Sequence, residues 1–388
     1  MKTVILAAGA GRRLEPLTNV RPKPMIPLAN RPLLDHVVEA VVEAGLDEVV
    51  IVVGHKRDRI QSHFGDGDDW GIDITYAVQE KQLGTGDAVL TAEEHIGDDF
   101  LVLNGDRIID PSLLERVVAE RRSDGENLMA VTHVAEPELY GVVDLDGESY
   151  VTDIQEKPPE PAISSDLINA GVYAFGPEIF SAIRETSTHG ELELTDVLDR
   201  HLDEHPIRAL PYGGRWLDVS RPWDLITVNG RLLDESTAAR AGSARIDNAA
   251  VIAERVALGA DSRIYPNATV LRGTALGDNV QVGPNVTIQN SLIMSDVTIQ
   301  AGSVLRDVVV GENVEIGPNT TIPGGRTDAV LQDTVHRDVR FGGIVGDNAS
   351  LGGDVTVTPG SFVGNGTEVE LGARTDGRIE PDSVVRRG

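Results

Sequence analysis

The sequence predicts an α/β sheet domain followed by a β-helix of hexapeptide repeats. Up to residue 235, short apolar runs alternate with helical patterns, which is typical of an α/β sheet. Beyond that point apolar residues recur at every sixth position, which fits one flat side of a three-sided coil. With 388 residues the chain is long enough for both domains to bury a core.

The first domain, residues 1–235, is predicted from apolar runs that end in polar or glycine-rich turns. A helical pattern over residues 33–44 stops at Gly45, and a second one covers residues 223–235. Small residues then predict a linker at 236–245. Buried strands are predicted at residues 4–6, 49–53, 100–103, 129–133 and 171–175.

The second domain, residues 246–388, is predicted from the hexad pattern, with each apolar residue pointing into the coil. The register slips by one at Ile293. Residues 323–343 break the repeat and are predicted to loop out of the coil. The repeating apolar positions are Ile246, Ile252, Leu258, Ile264, Val270, Leu276, Val282, Ile288, Ile299, Val310, Ile316, Ile322, Val345, Leu351, Val357, Val363 and Val369.

The chain is strongly acidic, with a formal net charge of −28 from 34 Lys and Arg residues and 62 Asp and Glu residues. This balance argues against nucleic-acid binding, which needs a basic surface. Charge repulsion of this size destabilises a compact fold unless salt screens it. We therefore predict a protein adapted to high salt, from a halophilic source; the alternative is an ordinary acidic cytosolic protein.

Cysteine is absent from the sequence, which excludes disulfides, thiolate zinc sites and a cysteine nucleophile. The N-terminal apolar run ends in glycine and arginine and is too short for a signal peptide or a membrane span. We therefore expect a cytoplasmic protein that does not bind membranes.

A glycine-rich turn with nearby cations follows the first predicted strand. The turn, residues 7–11, leads into Arg12 and Arg13, and Lys23 lies between two prolines further along the chain. Glycine lets backbone N–H groups approach an anion, and Arg and Lys offset phosphate charge. The segment suits a polyphosphate, although a strand-turn-helix start with ordinary surface cations would use the same residue types.

The string G-x-G-x-R-L-x-P-L-T followed by P-K-P, at residues 9–24, closely resembles the signature of the sugar-1-phosphate nucleotidylyltransferases. The resemblance assigns catalytic roles to Arg13 and Lys23. Arg12 stands where the family usually has Thr or Ser. The resemblance implies nucleotide contacts for Leu6, Ala7, Ala8, Gly9, Gly11 and Gly105.

Two acidic residues are candidates for a metal site. Asp106 follows a predicted strand, where α/β enzymes place functional groups, and Asp218 lies in an otherwise apolar stretch. From the residues alone, Asp106 could be a turn residue and Asp218 a buried, paired one. Their motifs, N-G-D and W-L-D, resemble the two metal-carboxylate motifs of the family, which implies Mg²⁺ as cofactor with Asp106 and Asp218 as its ligands.

The resemblance extends to substrate binding. The segment 79–86 resembles the pyrimidine-recognition loop of members that use UTP or dTTP, and a Gln79 amide can donate to and accept from a uracil or thymine edge. Gly84 would let that loop close on the base. Nucleotide contacts are therefore implied for Gln79, Gly84 and Thr85. The sugar-binding motifs of the family match in order and spacing, which assigns sugar contacts to Gly141, Glu156 and Asn169 and phosphate binding to Lys157.

The order of the two domains resembles the archaeal and bacterial bifunctional nucleotidylyltransferase/acetyltransferases. It implies a Rossmann-like mixed-sheet nucleotide-binding domain and a left-handed parallel β-helix, which commonly forms trimers. Aligned with the acetyltransferase members, Ala301 stands at their catalytic His, Val304 at a nearby Tyr, and Gly324 near an Asn. The one His of the predicted β-helix, His336, lies in the segment that breaks the repeat.

Together these residues predict a Mg²⁺-dependent sugar-1-phosphate nucleotidylyltransferase that uses UTP or dTTP and a sugar 1-phosphate, with glucose 1-phosphate as the default sugar. We expect a homo-trimer or larger homo-oligomer joined through the β-helix. One alternative is a bifunctional enzyme with a CoA-dependent amino-sugar-phosphate N-acetyltransferase. Another is a non-catalytic trimeric regulatory or scaffolding protein.

Overall fold

The computed structural model describes residues 1–186, 190–235 and 240–387, and predicted linker residues 236–239 lie outside the described residues. The chain forms two compact units. The first contains residues 1–10, 22–25 and 33–218. The second contains residues 11–21, residues 26–32 and the chain from Val219 onward, so two short N-terminal segments belong with the C-terminal part of the sequence.

The predicted domain boundary at residue 235 stays a prediction, while the compact units of the structure divide at Asp218–Val219. The reason is the helix Pro222–Glu235, which packs against coil strands Leu292–Ile293 and Val308–Val310 and against the short strand Pro27–Leu28. Its apolar side chains, among them Leu225 and Leu233, are buried. The hydrophobic pattern identifies such a helix but not the domain that covers it.

In the first unit, the described residues form a nine-stranded mixed sheet with a continuous apolar core. Lys2–Leu6 lies in the middle, parallel to both of its neighbours, Glu48–Val53 and Phe100–Asn104. These buried strands are apolar runs, as expected for strands covered on both faces. The path through the sheet is Val151–Glu156, Gly141–Leu145, Leu167–Phe175, Phe100–Asn104, Lys2–Leu6, Glu48–Val53 and Asp73–Val78, while Asn127–His133 pairs with Leu167–Phe175 and with Ile207–Pro211.

Helices pack on this sheet where the sequence alternates strand and helix patterns. The predicted helix at 33–44 is confirmed as Leu33–Glu43, and Gly45 follows it with a φ of 73°, the left-handed conformation that ends many helices. The predicted strands are confirmed with bounds that differ by a few residues. The other helices of this unit are Arg57–Phe64, Thr85–Thr91, Pro111–Asp124, Ile179–Glu185 and Leu194–Arg200.

The second unit is a left-handed β-helix in which successive short strands lie on three sides of a coil, confirming the predicted fold. The hexad residues line the interior, from Leu258 to Val369, in one apolar core. The coil strands are Arg245–Ile246, Val251–Ile252, Ala257–Leu258, Arg263–Ile264, Thr269–Val270, Ala275–Leu276, Gln281–Val282, Thr287–Gln289, Leu292–Ile293, Thr298–Ile299, Val304–Arg306, Val308–Val310, Glu315–Ile316, Thr321–Ile322, Gly343–Val345, Ser350–Leu351, Thr356–Val357, Ser361–Val363, Glu368–Val369, Arg374–Thr375, Arg378–Ile379 and Val384–Val385.

The corners of the coil explain a second repeat in the sequence. Asn or Asp recurs at corners with φ between 55° and 62°, a left-handed conformation that these two residues tolerate better than most. Some corner side chains also bond along the coil, as when Asn279 Nδ2 donates to Asp296 Oδ1 at 2.8 Å. The residues of this set are Asp261, Asn267, Asn279, Asn285, Asp296, Asn313, Asn319, Asn348, Asp354 and Asp382.

The break in the repeat is a β-hairpin, which confirms the predicted loop. Strands Arg326–Leu331 and Thr334–Arg340 pair with each other in antiparallel fashion. The coil then resumes, because Val308–Val310 pairs directly with Gly343–Val345. His336, on the second hairpin strand, lies with its ring 5.1 Å from that of Trp223. Across the part of the chain that the structure describes, no helix has the length and apolar character needed to cross a membrane.

Candidate active site

The first predicted nucleotide-binding residues lie at the end of the central strand. Leu6 O accepts a hydrogen bond from Gly105 N at 2.9 Å, and Ala7 N donates to Val52 O at 2.8 Å. A Cβ at Gly105 would lie 2.8 Å from Leu6 O, so only glycine permits this approach. Ala8 is buried beside this point and Gly9 is exposed. The sheet therefore brings the start of the glycine turn next to Gly105.

Gly11 and Arg13 continue the same loop but belong to the second unit. Gly11 has a φ of 65°, which suits glycine, and it precedes the 3₁₀ turn Arg12–Leu14. Thr18 Oγ1 donates to Gly11 O at 3.0 Å and so fixes the turn. Arg12 is exposed and Arg13 is half-buried.

The two predicted metal carboxylates lie around a single guanidinium. Strand Arg107–Ile109 pairs with strand Trp216–Asp218, and this register puts Asp218 opposite Arg107. Arg107 Nη1 lies 3.2 Å from Asp106 Oδ1 and also donates to Asp218 Oδ1. Lys23 Nζ donates to Asp106 Oδ2 at 2.5 Å. Lys23, Asp106 and Asp218, which are far apart in sequence, therefore meet in one charged cluster.

Arg107 was not among the predicted site residues. Its guanidinium lies 5.6 Å from the centre of the Tyr140 ring and 5.3 Å from that of Trp216, within range of cation–π attraction. Tyr140 completes the cluster, since its hydroxyl donates to Asp218 Oδ2 at 2.9 Å. The signal in the sequence is slight, an Arg directly after the motif Asp, and only the strand register shows that it reaches both carboxylates.

The charges around Asp106 control its protonation. Burial acts to raise the pKa of Asp106, but the charges of Arg107 and Lys23 and their hydrogen bonds outweigh that effect and hold the pKa well below its usual range. Asp106 is therefore an anion at neutral pH. The cluster therefore keeps Asp106 ionised, although the desolvation of an unpaired carboxylate would be energetically unfavourable.

The donor set of this cluster fits Mg²⁺. Asp106 and Asp218 offer hard carboxylate oxygens to the same position, now taken by a guanidinium nitrogen. In the described residues, no group of three or more His, Cys, Asp or Glu side chains forms a metal site. Mg²⁺ commonly binds through one or two carboxylates together with substrate phosphates and water, so two Asp residues suffice for this mode of binding.

The predicted sugar-binding residues form a second cluster. A Cβ at Gly141 would lie 3.2 Å from Glu156 Oε2 and 3.7 Å from the Asn169 Cβ, so the three residues are neighbours. Thr195 Oγ1 donates to Glu156 Oε2 at 3.0 Å. Lys157 Nζ donates to Glu156 Oε1 at 2.6 Å, and Lys157 has a φ of 45°, which is unusual for a non-glycine residue. Such backbone strain is often found at functional sites.

Tyr140 joins the two clusters. Its hydroxyl donates to Asp218, and its backbone carbonyl accepts a hydrogen bond from Lys157 N at 2.9 Å. Trp216, two residues before Asp218 on the same strand, donates from its indole to Ala170 O at 2.9 Å, beside Asn169. Direct bonds within the first unit therefore join the charged cluster around Asp106 and Asp218 to the cluster of predicted sugar-binding residues, here called the sugar cluster.

The predicted base-recognition loop is closed on itself. Gln79 Nε2 donates to Gly84 O at 3.1 Å and to Asp87 Oδ2 at 2.7 Å, so both of its amide hydrogens have partners inside the protein. Gly84 has a φ of 97°, and a Cβ there would lie 2.4 Å from Leu192 O. Gln82 Nε2, by contrast, donates to Ala8 O at 3.1 Å and links this loop to the glycine turn.

Thr85 is part of the same arrangement. Its hydroxyl donates to Glu193 Oε2 at 2.7 Å and accepts from Leu194 N at 2.8 Å. These bonds attach the loop to the start of the helix Leu194–Arg200, next to Thr195 of the sugar cluster. The start of this helix therefore binds both the loop, through Thr85, and the sugar cluster, through Thr195.

Two family models match the chain. Residues 2–235 match the family model described as Nucleotidyl transferase, and residues 246–367 match the model described as GMPPB C-terminal domain. The first match ends at the linker and the second lies within the β-helix. The family model of the first match therefore covers both clusters of the candidate site.

The chain is 40% identical over 237 residues to the bifunctional protein GlmU of Methanococcus maripaludis strain C7, a match over 61% of this chain and 55% of that relative. The chain spans between 55% and 62% of the length of the first such relatives. It is 34% identical to GlmU of Methanococcus vannielii over 99% of this chain and 97% of that one. The chain is also similar to a solved structure of UDP-glucose pyrophosphorylase in complex with UDP-glucose, with 26% identity over 61% of this chain and 99% of that one and a TM-score of 0.55.

Proposed function

Because the chain belongs to the nucleotidyl transferase family, we propose that it transfers a nucleotidyl group from UTP or dTTP to a sugar 1-phosphate, releasing pyrophosphate. The observation that carries this proposal is the pair of clusters joined by Tyr140. One cluster holds carboxylates and cations suited to a triphosphate, and the other holds the polar groups suited to a sugar phosphate. Their direct connection supports a reaction between the two substrates.

In this reaction an oxygen of the sugar phosphate attacks the α-phosphorus of the nucleotide, and the bond to the leaving pyrophosphate breaks. Arg13 and Lys23 stabilise the phosphate charge, which is the main demand of phosphoryl-type transfer. Lys157 aligns the attacking phosphate, and Glu156, Asn169 and the backbone at Gly141 bind the sugar. No covalent enzyme intermediate is required.

Asp106 and Asp218 would hold Mg²⁺, which neutralises triphosphate charge when it is bound. Residues of the chain hold these carboxylates ionised and oriented. Arg107 and Lys23 keep Asp106 ionised, and Tyr140 orients Asp218 by its hydrogen bond. Lys23, whose Nζ donates to Asp106 Oδ2, would bind a phosphate held beside these carboxylates.

The preference for a pyrimidine nucleotide is proposed from the loop that contains Gln79, Gly84 and Thr85, with glucose 1-phosphate as the sugar substrate. The similarity to a structure solved with UDP-glucose supports the uracil nucleotide. Both Gln79 amide hydrogens have partners, at Gly84 O and Asp87 Oδ2, so the Gln79 carbonyl is the group of this side chain that would accept a hydrogen bond from the base.

The test is pyrophosphate release from an array of nucleoside triphosphates and sugar 1-phosphates with Mg²⁺ in molar KCl. We expect the highest rate with UTP or dTTP and glucose 1-phosphate. Release that is equally fast without any sugar phosphate would indicate a hydrolase and contradict the proposal. A preference for GTP or ATP would contradict the role given to the loop.

A second candidate function is the added acetyltransferase, because the relatives that match are bifunctional proteins. We propose that this chain lacks it. Ala301 and Val304 stand where that activity would use His and Tyr, and His336 is on the hairpin with its ring against Trp223. A base within reach of the attacking amine is needed for acetyl transfer.

Thiol release from acetyl-CoA with glucosamine 1-phosphate or galactosamine 1-phosphate tests this prediction. We expect no release above background while the nucleotidyl transfer proceeds. Turnover that disappears in His336→Ala would mean that the hairpin supplies the base, and the bifunctional function would replace ours.

The alternative of a non-catalytic scaffold is disfavoured because the chain retains the predicted catalytic and metal-binding residues, which are Arg13, Lys23, Asp106, Lys157 and Asp218.

A further inference from the structure

We propose that the β-helix positions the catalytic Lys23 by holding the chain on both sides of it. This inference rests on the proposed function, in which Lys23 acts on phosphate. Residues 11–21 and 26–32 belong to the second unit, whereas residues 22–25 between them belong to the first. Lys23 therefore lies in a four-residue segment whose two flanks are parts of the β-helix unit.

The upstream flank is anchored by a buried arginine. Arg21 is fully buried, and its Nη2 lies 2.5 Å from Asp347 Oδ1 and 3.0 Å from Glu312 Oε2. Its other terminal nitrogen, Nη1, donates to Met294 Sδ at 2.8 Å. A buried guanidinium without a carboxylate partner is strongly unfavourable, so Arg21 must stay against Asp347.

Asp347 is itself fixed in the coil. Its Oδ1 accepts from Glu312 N at 2.6 Å, and its backbone N donates to Asn365 Oδ1 at 2.9 Å. Asn365 Nδ2 in turn donates to Pro16 O at 3.0 Å, in the same upstream flank. Two successive coils therefore hold residues 11–21 at two points, Pro16 and Arg21.

The downstream flank is anchored by a tight turn. Ala29 and Asn30 have φ values of 50° and 66° between the paired strands Pro27–Leu28 and Arg31–Pro32. Ala29 N donates to Asn229 Oδ1 at 2.9 Å, and Asn30 Nδ2 donates to Leu276 O at 2.7 Å. Asn229 is fully buried and is held by its bond to Gly273 O at 3.0 Å.

These anchors have a catalytic consequence because Lys23 is only two residues from Arg21. The Lys23 ammonium must reach the phosphate with sub-ångström accuracy, and misplacement by about 1 Å can cost about a hundredfold in rate. Arg21 and Asn229 bind groups of the β-helix unit, at Asp347 and Gly273, and so act as positioning residues. The β-helix thus supports catalysis by nucleotidyl transfer without any chemistry of its own.

The test compares Arg21→Gln with Arg21→Lys, which keeps a cation for Asp347, and with the control Arg272→Gln. Arg272 pairs with Asp234 on the exposed surface of the same unit. For Arg21→Gln we expect kcat to fall about tenfold to a hundredfold with both KM values within about threefold. Arg21→Lys should recover part of the loss, and Arg272→Gln should match the wild type.

Hydrogen–deuterium exchange supplies a readout that does not need activity. In folded Arg21→Gln, amides of residues 11–32 should lose protection while strand Phe100–Asn104 keeps it. If Arg21→Gln does not fold, Asn365→Ala takes its place, because it removes the bond to Pro16; kcat should then fall about threefold or more and the same amides should exchange faster.

Unchanged kcat, or unchanged exchange in residues 11–32, would overturn the positioning role. So would a loss of activity that only follows the fraction of unfolded protein. A wild-type protein without any nucleotidyl transfer would instead overturn the proposed function. In that case the exchange measurement still decides whether Arg21 anchors the segment, so the two failures are distinguishable.

Discussion

At the scale of single residues, the main feature of the candidate site is the set of cations that contact the carboxylates of Asp106 and Asp218. Asp106 and Asp218 are bridged by Arg107, and Lys23 lies on the far side of Asp106. The sequence motifs predicted the two Asp residues and Lys23. Arg107 could not be predicted, because its role follows from a strand register that puts it opposite Asp218. The hydrogen bonds of Gln79 within the protein could not be predicted either, because they depend on the conformation of the loop.

We predict that Asp106→Asn and Asp218→Asn each reduce kcat by orders of magnitude. Loss of one metal ligand removes several kcal/mol, about 3 or more, of transition-state stabilisation. Asn keeps the size of the side chain, so circular dichroism should show an intact fold. Pyrophosphate release near the wild-type rate in both variants would be incompatible with the assigned metal site.

The depressed pKa of Asp106 gives a second prediction at this scale. A carboxyl group with a lowered pKa contributes stability that is present above its unfolded-state pKa, about 4, and is lost as the pH falls toward the folded-state pKa. The wild type should therefore exceed Asp106→Asn in free energy of unfolding at pH 7. Denaturant titrations in molar KCl should show this difference shrinking below about pH 4. A difference in free energy of unfolding that stays constant or grows in acid would contradict the lowered pKa of Asp106.

At the scale of elements, the hexad pattern predicted the coil because its apolar residues must point inward at a fixed interval. It also predicted the break at the hairpin, since residues 326–340 have no hexad register. The helix Pro222–Glu235 was predicted as an element, yet its assignment to the second unit was not, because that depends on tertiary packing against Leu292–Ile293. The Asn and Asp corners were not predicted, because their left-handed backbone conformation is seen only in the folded coil.

A coil corner provides a stability prediction. Asn285 is exposed with a φ of 59°. Asn285→Val should lower the free energy of unfolding by about 1–2 kcal/mol, since a β-branched residue is disfavoured in the left-handed conformation. Asn285→Gly is the matched control and should change it much less. Thermal or denaturant unfolding measures both variants, and equal stability of the two would argue that backbone conformation does not limit this corner.

At the scale of the whole molecule, the net charge of −28 per chain is the main reason to expect a dependence of assembly on salt. We predict a trimer or larger homo-oligomer joined through the β-helix that loosens at low salt. The Debye length grows from about 3 Å at 1 M to about 30 Å at 0.01 M, so like charges repel over a longer range. Light scattering in high and low KCl tests both statements. A monomer whose size does not depend on salt would contradict them.

Nucleotidyl transfer is tested best by following both products of one reaction. UTP, glucose 1-phosphate and Mg²⁺ are incubated with the protein in molar KCl, and NDP-sugar is measured by mass spectrometry beside pyrophosphate. We predict one NDP-sugar per pyrophosphate, with both products lost in Asp106→Asn and both kept in Arg272→Gln. Pyrophosphate without NDP-sugar, or equal yields from Asp106→Asn and the wild type, would contradict it.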